Sequence, residues 1–159
     1  MALFRGKWSG SAGLRTFHIA VTTLLLMIIW PATSASNSIT FTKGQAIIGG
    51  SLISVEIAKT ESQQKIGLSN RNLNKKNYFM VFEFTQPKKV NFWMKKTKID
   101  LSLAFINSSY LIDEIVDMKA NSLSPKTSKS DDVLYAVEVP KGFFKQNNIK
   151  VGDYFQLIK

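Results

Sequence analysis

Cysteine is missing from all 159 residues, and the one histidine, His18, lies near the N-terminus. Without thiols the chain has no disulfide, no thiolate metal ligand and no cysteine nucleophile. Beyond residue 35 histidine is missing as well, which excludes Ser–His and Cys–His nucleophile systems and histidine-ligated zinc or iron from that part. No metal and no cofactor is therefore expected, and any catalysis would fall to carboxylates, lysine, tyrosine or serine. Arginine is nearly as scarce: Arg71 is the only one after residue 35, against 17 lysines. Lysine is a hydrated point charge without the bidentate fork that specific phosphate recognition favours, so this surplus suits solubility and loose attraction of anions more than nucleic-acid reading.

Acid is missing from residues 1–35, which carry Arg5, Lys7 and Arg15, then an apolar run over 17–30, a proline and the small polar run "ATSAS". That is the layout of a secretory signal peptide. As a helix, 14 residues reach about 21 Å, short of the ~30 Å hydrocarbon core, so cleavage after Ala35 is expected over a permanent anchor. The remainder keeps 18 basic residues against 11 acidic ones. Export to the periplasm or beyond is the expectation. The alternative is a membrane-anchored protein that keeps its N-terminal segment.

Long amphipathic helical patterns are also scarce. "LISVEIAKT" alternates as a half-buried strand, and "YFMVFEF" and "LSLAFI" are apolar runs of strand length suited to burial on both faces. "YLIDEIVDM", "VLYAVEVP" and a closing stretch near residues 154–158 complete the set. Thr60 and Gln63 have capping-box spacing for a short helix, and "KGFFKQNN" offers one further turn. Pro87 is expected to break the chain, and residues 119–132, rich in Ser, Lys and Asn, read as a mobile loop. The fold expected is mostly β (α+β): a compact, partly open β-barrel-like domain of about seven or eight short strands with one or two short helices. Its boundaries are expected at 1–35 for the signal, 36–51 for an N-terminal extension and 52–159 for the single β-rich domain.

Four stretches, "VEIAKTESQQKIGLSNRNL", "FWMKKTKIDLSLAFI", "VLYAVEVPKG" and "IKVGDYFQL", resemble in order and spacing the domain-of-unknown-function 192 family of small, often exported bacterial domains. Gly67-Leu68, Arg71, Leu73, Phe92-Trp93-Met94, Thr97, Leu101, Glu138, Gly142 and Gly152-Asp153 match together. The resemblance implies a compact, mostly β fold with short helices, and no settled activity. The chain departs from the family pattern at Ser69, where methionine is usual. It departs again at Lys96, usually asparagine, and at Asp100 and Ser102, usually proline and aspartate.

Period two puts Trp93 and Lys95 on one face of a strand, opposite Val90, Phe92 and Met94, with Thr97 where the chain turns. An aromatic plane, an ammonium and a hydroxyl could converge there on a small acidic or sugar-like ligand. The structural alternative packs Trp93 and Met94 on opposite sides of the sheet with the lysines solvated. Glu138 sits alone among apolar residues, and if buried it needs a partner, for which Arg71 or Lys95 is available. A structural ion pair is the favoured reading of it over a catalytic carboxylate. Gly152-Asp153 reads as a tight hairpin turn, and Asp113, Glu114 and Asp117 lack the spacing of a calcium loop.

Candidate ligand-binding residues are thus Arg71, Trp93, Lys95, Thr97 and Glu138, with no catalytic residue assigned. The functional expectation is an exported, monomeric, non-enzymatic binding or accessory protein of the cell envelope. Two alternatives stay open: a small carboxylate- and lysine-dependent enzyme acting on an envelope polymer, and a polyanion-binding surface protein. Specific nucleic-acid binding is not expected.

Overall fold

Gly49 and Gly50 turn the first hairpin. β1 (Thr42–Ile48) and β2 (Ser51–Ala58) pair antiparallel, from Thr42 opposite Ile57 to Ile48 opposite Ser51. The two glycines between them have φ of 53° and 81°, the pair of positive values that a two-residue turn needs to match the strands' twist. The structure is a computed structural model that describes residues 38–72 and 78–158. These lie in one unit, Asn37–Lys159. The expected signal segment and Leu73 fall outside the described residues. β1 begins ten residues before Leu52 and pairs on both sides, so the stretch expected as an N-terminal extension supplies a strand of the sheet.

Thr60 caps the helix that follows, α1 (Glu61–Ile66), with the reciprocal Thr60 and Gln63 hydrogen bonds of a capping box. Gln64 Nε2 donates to the Glu83 carbonyl at 2.8 Å and fastens α1 to the next strand. That strand, β3 (Met80–Lys88), runs through Pro87. The ladder absorbs the proline as an irregularity: Glu83 faces Tyr135, the next paired residue is Lys88 opposite Val133, and Pro87 needs no partner for its missing N–H.

After β3 come β4 (Asn91–Phe92), β5 (Leu101–Asn107), β6 (Ile112–Met118), β7 (Lys126–Thr127), β8 (Val133–Pro140), α2 (Phe143–Gln146) and β9 (Phe155–Ile158). Among the described residues there are thus nine strands. Seven form one sheet in the order β6-β5-β8-β3-β2-β1-β9, with β2 and β3 parallel and the other neighbours antiparallel. The sheet curls until its edges meet at one end, where Leu111 bridges Tyr154 and the Ile112 N–H donates to the Asp153 carbonyl at 2.9 Å. It is a partly open barrel. Gly152-Asp153 belongs to this closure rather than to a hairpin: Asp153 N–H bonds back to the Lys150 carbonyl, and Gly152 N–H docks on Ile112 at 2.8 Å.

Both faces of the sheet are covered, which explains the unbroken apolar runs. Met80, Phe82 and Phe84 of β3 and Leu101, Leu103 and Phe105 of β5 join one core, together with Phe92 and Met94. Val81, Ala104, Ile106, Val137 and Val139 face the other, against Phe144 of α2 and Phe155 of β9. The segment 119–132, expected as a mobile loop, is tied into the fold instead. β7 within it pairs with β4, and Ser128 is buried with its Oγ accepting from Val90 N–H at 3.1 Å and donating to the Ser130 carbonyl at 2.7 Å.

Candidate functional site

Two loops form the rim of a cavity of about 350 Å³ above β8 and β3. One follows α1, the other follows β4, and backbone acceptors hold them together: Ser69 Oγ donates to the Lys95 carbonyl at 2.8 Å, and Asn70 N–H to the Lys96 carbonyl at 3.0 Å. The second loop is pinned on its far side as well, by Met94 N–H to the Ser122 carbonyl and Asn121 N–H to the Thr97 carbonyl. Burial over 90–95 alternates strictly, so Val90, Phe92 and Met94 point inward while Asn91, Trp93 and Lys95 point out. Trp93 is 58% exposed.

The walls are apolar. Phe82 and Phe92 meet edge-to-face at 4.8 Å between ring centroids, and Phe84 stands beside them with the Lys88 ammonium 4.8 Å above its ring. Thr97 and Glu138 are the buried polar residues of the lining, at 4% and 5% exposure. Glu138 is buried because β8 is covered on both faces: in the ladder it sits between Met80 of β3 and Leu103 of β5. Burial alone pushes its carboxyl up to about 8 from 4.5, since a low-dielectric surround disfavours the charged form.

Four polar or charged residues are buried among those described: Thr97, Ser102, Ser128 and Glu138. Ser128 is satisfied as above. Ser102 Oγ donates to Asp117 at 2.7 Å and accepts from Gly142 N–H at 3.1 Å. The side chains of Thr97 and Glu138, the two that face the cavity, have no hydrogen-bond partner among the described residues. Neither is among the polar atoms sealed from solvent without a partner, so both open onto the cavity rather than into closed protein.

Four of the five residues singled out from the sequence, Trp93, Lys95, Thr97 and Glu138, line this one cavity. Arg71 does not. It donates to the Glu56 carboxylate on β2 and lies over the Phe41 ring at 4.4 Å, beside a separate surface depression. The expected ion pair of Glu138 with Arg71 or Lys95 is absent among the described residues. Sequence reading missed the aromatic walls and the lysines Lys65, Lys88 and Lys89 at the mouth. The Phe82/Phe84 alternation carried that signal only once both faces of β3 were known to be covered.

Lys96 has φ 61°, a left-handed conformation that asparagine tolerates better than lysine. Asp100 Oδ1 accepts from Ala120 N–H at 2.8 Å, which holds its carboxyl below the ordinary value, and Lys141 stands at 3.4 Å. Neither Asp100 nor Ser102 reaches the cavity. Two of the three acids of β6 are occupied otherwise: Asp117 by Ser102, and Glu114 by the backbone and ammonium of Lys129.

The comparisons with known proteins agree with this architecture. The chain is similar to a protein from Sinorhizobium meliloti 1021 provisionally described as a transcription regulator, with 26% identity and a TM-score of 0.69 over 76% of this chain and 97% of that one. It is also similar to a protein of unknown function from Novosphingobium aromaticivorans DSM 12444, with 21% identity and a TM-score of 0.64 over 77% and 89%. No curated protein matches it. Residues 44–157 match DUF192, described as an uncharacterized ACR, and the chain belongs to that family.

Proposed function

We propose that this protein is an exported small-molecule-binding or accessory domain of the cell envelope, taking a small acidic or sugar-like ligand in the cavity beneath Trp93. One observation carries the binding reading: the side chains of Thr97 and Glu138, which have no hydrogen-bond partner among the described residues, both open onto a cavity of ligand size. Export rests on the charge and hydropathy layout of residues 1–35.

A buried carboxyl near 8 is also what a general acid requires, which keeps the enzyme reading in second place. Hydrolysis of a glycan by the usual route needs two carboxyl groups across the scissile bond. Glu138 is the only acidic residue in the described lining, so binding fits the site better than turnover does.

The test is an NMR titration of the full chain with benzoate, glucuronate and benzyl alcohol at millimolar concentration. Shifts confined to Thr97, Lys95 and the Trp93 indole support the reading. Absence of any shift there with all three compounds overturns it. Export is tested separately by the N-terminus of the cell-envelope form, expected at Ser36; an intact Met1 in the membrane fraction contradicts cleavage.

A further inference from the structure

Charge around the cavity is one-sided. Lys65 from the end of α1, Lys88 from the end of β3, Lys89 just after it and Lys95 after β4 all stand exposed at its mouth, and no acid accompanies them. These four are the titratable groups that share the lining with Glu138. The flanking strands face it with Met80 and Leu103, neither of which titrates. A cation entering would pass four ammonium groups; an anion would be drawn in by them.

The inner end of the cavity constrains the ligand differently. An ionised Glu138 would repel an anion held nearby in a low-dielectric space, whereas a neutral carboxylic acid offers an O–H to an acceptor. Burial keeps the acid neutral at ordinary pH. The hydroxyl of Thr97, the other buried polar residue of the lining, can donate or accept, and Phe82, Phe84 and Phe92 give the cavity apolar walls.

We propose that the cavity captures a compact organic anion, its charged end held by the mouth lysines and its inner end presenting an acceptor oxygen to which Glu138 donates as the neutral acid. This rests on the cavity being a ligand site, and adds the ligand's sign and a proton that must be present for capture. Since only the protonated form donates, affinity holds below the Glu138 midpoint and falls tenfold for each pH unit above it. Glutamine at the same position keeps a donor that does not titrate.

Isothermal titration of the full chain between pH 6 and 9.5 tests this with three probes. They are 4-acetylbenzoate, which has an anionic end and a distal acceptor; 4-ethylbenzoate, which lacks the acceptor; and 4-acetylbenzylammonium, which reverses the charge. The expected result is that 4-acetylbenzoate binds at least tenfold tighter than either analogue and weakens above about pH 8. In Glu138→Gln its binding should persist without that pH dependence, and in Lys88→Ala it should weaken with the midpoint unmoved. Thermal melts of each variant confirm folding, and a variant that fails to melt cooperatively is replaced by Thr97→Val read in the same titration, where 4-acetylbenzoate should weaken and keep its pH midpoint. Tighter binding of the ammonium probe, equal binding of the ethyl analogue, or wild-type affinity flat across the range overturns the proposal while leaving a ligand site in place. No binding of any probe overturns both.

Discussion

Arg71 on the loop after α1 pairs with Glu56 on β2, its guanidinium packed over the Phe41 ring at 4.4 Å. The only arginine after residue 35 is thereby committed to β2, and Glu138 is left buried without a cation partner among the described residues. Burial pushes the acid in that position up to about 8, which favours the neutral form, and the neutral form can donate a hydrogen bond.

Replacing Arg71 by methionine is expected to cost about 1 kcal/mol, because both members of the pair are partly solvated, at 24% and 33% exposure. Ligand capture in the cavity should be unchanged. Denaturant melts and probe titration of the same variant check both parts, and a tenfold loss of binding would tie Arg71 to the site after all.

The Glu138 carboxyl gives a signed pH dependence. Its folded value, about 8, lies above the 4.5 of an unburied carboxyl, so the folded state holds an extra proton between these limits. Stability from this group is therefore full below 4.5 and is lost as pH rises towards 8, at about 1.4 kcal/mol per unit. Glu138→Gln should match the wild-type trend below pH 4.5 and gain on it steadily from pH 5 to 8. A stability difference constant over that interval in urea melts would mean the carboxyl ionises without cost.

Trp93 is largely exposed while its neighbours Phe92 and Met94 are buried. Trp93→Ala should change stability by less than about 1 kcal/mol, with iodide reaching the indole readily, and should weaken capture of an aromatic anion. A loss of about 3 kcal/mol or more would place the ring in the core.

Phe82, 2% exposed, meets Phe92 edge-to-face and stands close to Gly67, whose added Cβ would meet its ring at 3.3 Å. Phe82→Ala should cost about 3–5 kcal/mol in denaturant melts, the range for a buried phenylalanine. A cost below about 1 kcal/mol would show the wall to be peripheral to the core.

Lys96 holds φ 61° at the loop that carries Lys95 and Thr97. Lys96→Asn should stabilise by up to about 1 kcal/mol through relief of left-handed strain. A rise in melting temperature with unchanged binding assigns that position to the backbone; a change in affinity for 4-acetylbenzoate would assign it to the ligand.

Local signals carried far along this chain. The Thr60–Gln63 capping box, the outward Trp93 with inward Phe92 and Met94, and the strand lengths each depend on neighbours within a few residues. The 119–132 segment misled because its Ser, Lys and Asn are loop-like by composition, whereas β7 and Ser128 are ordered by partners some 36 to 38 residues away, at Asn91 and Val90. Pro87 misled for a similar reason: whether a proline ends a strand depends on whether its neighbour strand needs the missing N–H at that point.

The candidate site divides along the same line. The sequence by itself determined the residue types available, with no thiol and one arginine after residue 35, and it singled out Trp93, Lys95, Thr97 and Glu138 from period and isolation. Only the tertiary structure decided which of these meet. Arg71 and Glu138 are 67 positions apart in the chain, and nothing local distinguishes an ion pair between them from one between Arg71 and Glu56. The strand order did so by placing Glu56 on β2 within reach of the α1 loop, while β3 and β5 closed over Glu138 and replaced its solvent with Met80 and Leu103. Burial is a property of the whole sheet, and it turned a strand glutamate into a neutral acid facing a cavity.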